Sequence, residues 1–542
     1  MRKILLFLIL GMFFNVVQSQ ELFYQTIRGR VYDKNSQIPL IGASIVLLNS
    51  NPQIGASTNE KGEFRLEKIQ TGRIGLQINY LGYHPVTLSN LVLHSAKELI
   101  INVELEEKVI TTEEIVVKAN RDNGEAINKM AAVSARAFSV EHTERYAGSR
   151  GDVGRMAMNF AGVSGANDSR NDIVIRGNSP SGLLWQLEDV EIANPNHFAF
   201  QGTTGGPVGM LNNNTLSNSD FITGAFPAQY GNAMSGVFDL KMRNGNNEKY
   251  EFLGQSGFNG FEFGAEGPFS KNKKASFLAN YRYSTLGFME VIGMDVGTAG
   301  VPYYQDISFK LHFPLNKGVI DVFGIGVKSN IAMLDSKKDE TDLYTSNNMD
   351  LYNCSDLAVA GASVTRFIND KSYVKLIVAG TFQNLYTKID TLDNNKNPNR
   401  ILTSNHLEKK MTVNTFLNKK VSSHLTTKFG ITINRLGFKM KTTGWNNDSS
   451  RYENYYDDKL ALKDGINRLN VYNQWVYKFN DYLLLHPGLQ VQYLDKTGEF
   501  SIEPRMAFTC KINDFQKFNI GYGLHSQVPS ILLLYDQTLG TD

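Results

Sequence analysis

Cysteine is nearly missing from this 542-residue sequence: Cys354 and Cys510 are the only two. Both fall in the C-terminal half, and two are too few for a disulfide framework or a cysteine metal motif. No stretch approaches the ~18 consecutive apolar residues of a transmembrane helix. Strands of a membrane barrel alternate and escape that scan. Charge of one sign is lacking too. Lys plus Arg number 55 against 53 Asp plus Glu, a net of +2. That balance supplies neither a basic stripe for nucleic acid nor an acidic tail. The signatures G-x-x-x-x-G-K-[ST], H-E-x-x-H and G-x-S-x-G are absent, and the nine histidines are scattered singly. The expectation is a non-enzyme with no cofactor and no metal site.

What the chain does have is aromatic residues, length and alternation. Tyr and Phe number 24 and 32, a level that suits a barrel with aromatic girdles. The length suggests two to four domains. Arg2 and Lys3 precede an apolar run to Phe14, and Val17-Gln18-Ser19 offers small residues at the right spacing. This predicts a secretory signal over 1–19, cleaved after Ser19. From Thr26 to Glu107, short apolar runs are separated by turns such as Asn59-Glu60-Lys61-Gly62, which predicts a β-sandwich. His84 and His94 there lack any H-x-x-E pattern, so packing or surface roles are expected. A short helix and turn are expected over 153–163.

The C-terminal half alternates with period two. Ile307, Phe309, Leu311 and Phe313 take one face; Ser308, Lys310 and His312 take the other. Phe277 to Tyr283, Leu425 to Asn434 and Leu469 to Phe479 repeat the pattern. Long polar segments at 330–356, 387–405 and 441–467 alternate with short turns at 368–371, 420–423 and 480–481. An antiparallel barrel crossing a membrane sorts its loops this way. Strands of roughly 9–15 residues, about a dozen in all, are expected. Residues 539–542 form no terminal strand, and an open sheet edge in lipid costs several kcal/mol per unpaired group. The barrel is therefore expected to be incomplete in this chain.

The stretch D-I-V-I-R-G at 172–177, through D-F-I-T-G-A-F-P-A-Q-Y-G-N at 220–232, resembles the plug of TonB-dependent outer-membrane receptors. Phe261-Glu262-Phe263-Gly264-Ala265-Glu266-Gly267-Pro268 resembles their first barrel hairpin. The order G-x-V-x-D, P-L-x-G-A-S-I, T-N-E-K-G-E-F and Y-L-G-Y resembles the carboxypeptidase-regulatory-like domain found before the plug in one subfamily. That domain implies no peptidase activity. The resemblance implies a mainly β chain: signal 1–19, β-sandwich 20–108, linker 109–125, α+β plug 126–246, and a large antiparallel transmembrane β-barrel, incomplete here, over 247–542.

The resemblance also implies sites and partners. Glu114, Ile115, Val116 and Val117 resemble the coupling box that a periplasmic TonB protein captures by strand addition; a last sandwich strand or an inert linker is the competing reading. Arg176 and Gly177 carry the plug motif, and Glu262 and Glu266 share one strand face. Arg176 is expected to pair with one of these glutamates, against the alternative that each charge is separately solvated. Trp445, Tyr452, Tyr455 and Tyr456 lie in a long loop, where they stack on a substrate or simply pack. The implied function is import of a siderophore, glycan, peptide or vitamin across the outer membrane, with the N-terminal domain in the periplasm. Implied partners are TonB, outer-membrane lipid, a small-molecule or oligomeric substrate and, as in some family members, a surface lipoprotein; nucleic acid is not among them. A surface receptor or adhesin anchored by the barrel is the alternative, and a secreted soluble β protein a third reading.

Overall fold

The computed structural model describes residues 22–109, 126–128, 130–146, 148–165, 170–200, 202–257, 260–270, 273–292, 300–337, 348–446, 448–513 and 516–530. The expected signal segment lies outside them. Two compact units emerge, one over 1–107 with 116–122, the other over 108–115 with 123–542.

The first unit is a β-sandwich. Its strands are β1 (Tyr24–Asp33), β2 (Ser44–Leu47), β3 (Gly55–Ser57), β4 (Glu63–Gln70), β5 (Gly72–Asn79), β6 (Val86–Leu93) and β7 (Leu99–Leu105). They form two sheets, β4-β1-β7 and β3-β2-β5-β6. Strand β4 shows how the sequence chooses its face. Phe64 and Leu66 point inward, then Lys68 takes a positive φ of 54° and Ile69 becomes the next buried side chain. That irregularity opposes a register shift between Gln25 and Ile27 of β1, as a β-bulge requires. The core holds Ile27, Val31, Ile45, Leu76, Ile78 and Leu105 among others. Inside it, Arg28 pairs with Glu98 at 2.9 Å, both buried.

The second unit contains a small α+β body and a large sheet. The small body has β8 (Ala135–Phe138), α1 (Val140–Arg145), α2 (Val153–Ala157), β9 (Val163–Gly165), β10 (Ile173–Ile175), β11 (Leu183–Leu187), β12 (Val190–Ile192), β13 (Asn196–His197), β14 (Val208–Gly209), β15 (Ser219–Ile222) and β16 (Gly236–Leu240). Its main sheet runs β12-β11-β16-β15-β8. Phe160, Phe221, Phe238 and Trp185 stack in sequence, with centroids 6.0, 4.4 and 4.1 Å apart. Asp152 caps α2 by accepting from the Arg155 N–H.

The large sheet is antiparallel and has fourteen strands. They are β17 (Glu251–Gly257), β18 (Gly260–Ser270), β19 (Lys273–Tyr283), β20 (Tyr303–Leu315), β21 (Gly318–Leu334), β22 (Met349–Asn369), β23 (Ser372–Leu392), β24 (Pro398–Lys420), β25 (Leu425–Asn446), β26 (Arg451–Leu460), β27 (Ile466–Lys478), β28 (Leu483–Leu494), β29 (Glu499–Asn513) and β30 (Gln516–Gly523); a helix α3 (Thr285–Val291) follows β19. Each strand pairs with the next, except that β25 pairs both β26 and β27. Among the described residues β17 and β30 are the sheet edges, so the wall is open.

Polarity in this wall is reversed relative to a water-soluble sheet. On β20, Ser308 and Lys310 are buried while Ile307 is 47% exposed. On β18, Glu262 and Glu266 are buried while Phe263 is 64% exposed. Val378, Met411, Phe429, Ile433 and Ile502 are exposed in the same way on later strands. The outward face is therefore apolar; the inward face is largely polar, with an apolar patch of Phe323, Ile325, Leu357, Val359 and Ile377, and packs against the small body.

Two of the three expected loops are mostly strand, and the third is strand at both ends. The segment 330–356 is shortened by β21 running to Leu334 and β22 starting at Met349; 387–405 is a hairpin whose turn is 393–397; and 441–467 contains β26. Strands β22 to β25 are 21–23 residues long rather than the expected 9–15. Their outer halves carry polar residues on both faces, so apolar periodicity does not reveal them. Cys354 and Cys510 lie on β22 and β29 and are both free.

Strand β1 sits between β4 and β7, and a Cβ on Gly29 would lie 1.6 Å from the Ile101 carbonyl oxygen. Gly29→Ala should therefore open the β1–β7 ladder. Tryptic cleavage within 24–105 is expected to rise while 251–523 stays protected. Parent-like resistance of the sandwich would refute the register.

Candidate functional site

The inward face of the wall and the small body meet through charge. The β11–β12 hairpin turns through Glu188 and Asp189, with φ of 51° and 66°. Two successive positive φ values give the tight turn that matches strand twist. Leu187 and Val190 are fully buried on either side and fix its depth. The turn thus carries Glu188, Asp189 and Glu191 to the wall, where each meets a cation. Lys310 of β20 donates to Glu188 at 3.0 Å and to the Met242 carbonyl at 2.9 Å. Lys375 of β23 reaches Asp189 at 2.6 Å, as does Lys241 of the small body. Glu191 is held by Lys410 of β24 at 3.2 Å and by Arg468 of β27.

Burial alone would raise the pKa of Asp189, but Lys241 and Lys375 outweigh it and hold the carboxyl well below the ordinary range. For Glu191 burial again opposes ionisation, and Arg468 and Lys410 bring the pKa down to about 2. Asp189 and Glu191 are thus met as carboxylates. Removing one partner of a desolvated pair costs roughly 3–5 kcal/mol, because the other charge is left stranded.

A second contact has the opposite polarity. Arg243, just after β16, forms a two-pronged pair with Glu266 of β18 at 2.7 and 2.8 Å. The Asn246 N–H adds a third bond to Glu266 at 2.8 Å. Glu262 accepts from Asn214 at 2.6 Å and from Asn280 at 2.7 Å. Two strands further, on β20, Asp306 pairs with Arg282 at 2.7 Å and meets His197 Nε2 at 3.0 Å. Burial lowers the His197 pKa and opposes its protonation.

A third contact grips backbone. The Arg505 guanidinium of β29 donates to the carbonyls of Phe226, Pro227 and Tyr230 at 3.3, 2.7 and 2.7 Å. Next to it, Gln229 exchanges bonds with Gln474 and accepts from Lys428 at 2.7 Å. A Cβ on Gly231 would lie 1.9 Å from the Gln490 amide, so that side chain would have to shift to admit one.

The residues expected from sequence are distributed differently. Arg176 does not pair with Glu262 or Glu266. It has φ of 50° and donates to Ser134 at 2.7 Å. Gly177, at φ 82°, completes that turn. The glutamates instead bond to the small body through Asn214 and Arg243. Glu114, Ile115, Val116 and Val117 lie outside the described residues. Trp445 and Tyr452 pack edge to face at 5.1 Å on the β25–β26 ladder. Tyr455 lies over Gly444, on the other face of that ladder, so these aromatics share no common surface. The Tyr456 side chain is outside the described set. The sequence reading missed Glu188, Asp189, Glu191, Arg243 and Arg505. The E-D-V-E run opposite lysines at inward positions of alternating strands is the signal that could have found the first three.

Residues 27–117 match the CarboxypepD_reg-like domain. No curated protein matches the sequence. Among solved structures, the outer membrane transporter YddB from Escherichia coli aligns with a TM-score of 0.50 at 14% identity, over 72% of this chain and 60% of that one. The siderophore receptor PirA from Acinetobacter baumannii gives 0.52 at 15%, over 73% and 62%. A mutant of the ferric enterobactin receptor PfeA from Pseudomonas aeruginosa gives 0.51 at 12%, also over 73% and 62%. At these identities the likeness shows the fold, and the resemblance to TonB-dependent receptors holds at that level. The chain spans about three-fifths of the length of these structures.

Two outcomes follow from the contacts. Arg243→Glu should raise amide exchange over 236–246 by about tenfold or more, and adding Glu266→Arg should return most of it. No change in the single variant would refute the pairing. Glu191 has its folded pKa depressed from 4.5 to about 2, so its contribution is full above about pH 4.5 and is lost as pH falls through 2. Fluorescence of buried Trp185 is expected to stay constant from pH 7 to 4.5 and to change only towards pH 2 if this carboxylate governs it; a transition centred near pH 6 would contradict this.

Proposed function

We propose that this chain acts in the bacterial outer membrane as a receptor and transporter that admits a scarce nutrient to the periplasm. The carrying observation is the reversed wall filled by a separate polar body. An apolar outward face suits lipid, and a polar lumen suits water and solutes. A body held in that lumen by charge pairs, and by an apolar contact with Phe323, Ile325, Val359 and Ile377 of the wall, acts as a plug. Short turns such as 370–371 and 479–482 face the periplasm, and the long overhangs of β22 to β25 face outside. Val109 donates its N–H to Asp481 in one of the short turns at 2.9 Å, which supports entry of the chain at the periplasmic end.

Energy for opening comes from a TonB-type partner that captures Glu114–Val117 by strand addition and draws on the plug. No phosphate-binding loop in the sequence competes with that reading. The substrate binds from outside, above the plug. Two structural neighbours are a siderophore receptor and a ferric enterobactin receptor, which makes a ferric siderophore the first substrate to test. Val116→Pro removes an N–H needed for strand addition. Uptake is expected to fall to background while surface binding is kept, and dissipating the inner-membrane potential should do the same. Normal uptake by the proline variant would sink the coupling segment. Binding with no energy-dependent uptake in the parent would favour an anchored receptor.

A further inference from the structure

We infer that Lys409 and Lys439 form a binding site for a phosphate of an outer-leaflet lipid; the inference rests on the membrane placement proposed above. Strand β24 fixes the boundary. Its outward positions run Lys419, Leu417, Thr415, Val413, Met411, Lys409, and Lys419 and Lys409 are exposed. These two lysines are ten residues apart. At ~3.3 Å per residue and a tilt of ~45°, the band between them is about 23 Å tall, close to the ~25 Å apolar band of such barrels. Met411 and Val413 are exposed inside that band, with Leu376 and Val378 on β23 and Phe429 and Ile433 on β25.

A polar row crosses the strands at the upper limit. The register aligns Lys328, Asp356, Asn384, Leu407 and Lys439 across β21 to β25. Lys328 lies near Asp356, and Lys441, one step above, pairs with Asp457 at 3.3 Å. Lys409 and Lys439 are exposed, and neither has a carboxylate within 4 Å among the described residues. Lys409 opposes Gly437, and Leu407 opposes Lys439, so the two lysines are diagonal neighbours about 7–8 Å apart at their bases. Gly437 places no side chain between them. The crossover at Leu460–Leu462 passes over Gly437, with the Leu462 nitrogen 2.8 Å from where its Cβ would be. Lys463 and Asp464 on that crossover are exposed and cancel in charge. Lys409 thus stands directly above the exposed Met411 and Val413, while on β25 Arg435, which donates to the Leu462 and Lys463 carbonyls, lies between Lys439 and the exposed Ile433. A doubly charged phosphate at the headgroup level, with its acyl chains on Met411, Val413 and Ile433, matches the two lysines and these apolar side chains.

Native mass spectrometry of the full chain, titrated with bisphosphorylated lipid A, tests this. The double variant Lys409→Gln with Lys439→Gln is expected to bind about 25-fold more weakly, at roughly a factor of five per surface lysine. Lys419→Gln, at the opposite boundary, is expected to bind like the parent. Parent-level binding by the double variant would overturn the site. So would equal binding of dephosphorylated lipid A by the parent. Flotation with lipid vesicles separates the two claims: a parent chain that does not float refutes the membrane placement itself, whereas floating chains with no phosphate preference refute only the lysine pair.

Discussion

Within the apolar band of the large sheet one constraint recurs: alternate side chains meet two different environments. The outward set is apolar, and the inward set includes Lys310, Lys375, Lys410, Arg468 and Arg505 together with Glu262, Glu266 and Asp306. Once a body fills the lumen, these charges lose water and must find partners. A generic apolar filler would leave them stranded. The small body meets this demand with carboxylates where the wall is basic and with an arginine where it is acidic.

The sign of the wall changes along its strand order, and that sets the orientation of the small body. Acids dominate β18 to β20, where Arg243 and His197 meet them. Bases dominate β20 to β27, where the Glu188–Glu191 turn sits. Rotating the plug by a few strands would place Arg243 opposite Lys375 or Glu191 opposite Glu266. Like charges brought together in a poorly hydrated space are strongly unfavourable. Charge pattern therefore selects the rotational register, while the Phe221–Phe238–Trp185 stack holds the plug together internally.

The alternation was legible because it is local: Ile307 and Phe309 out, Ser308 and Lys310 in, is readable from eight residues. The sandwich was legible through its turns and its β-branched runs. Beyond the apolar band that rule lapses, which is why residues 387–405 read as a loop although they are mostly β23 and β24. Pairings between remote residues were not legible either. Arg176 and Arg243 are equally good arginines in a list; what separates them is that one follows the end of β16 beside β18 and the other turns back on Ser134. The aromatic residues Trp445 and Tyr455 fell into one sequence cluster, yet strand geometry puts them on opposite faces.

Charge pairing also fits a part that has to move. An apolar core resists opening in proportion to the area it buries, and water entering it gains nothing. Ion pairs behave differently, since desolvation cancels much of their attraction and both partners recover hydration when separated. Such pairs contribute orientation more than net stability. Breaking one of them alone is costly, but parting the whole set into a water-filled lumen is far less so. For the transport proposed here, Glu188, Asp189, Glu191 and Arg243 register the plug at rest beside its apolar contact with Phe323, Ile325, Val359 and Ile377. It opens only when enough pairs part together for water to follow, which favours a concerted response to a sustained pull over leakage by single-contact fluctuations.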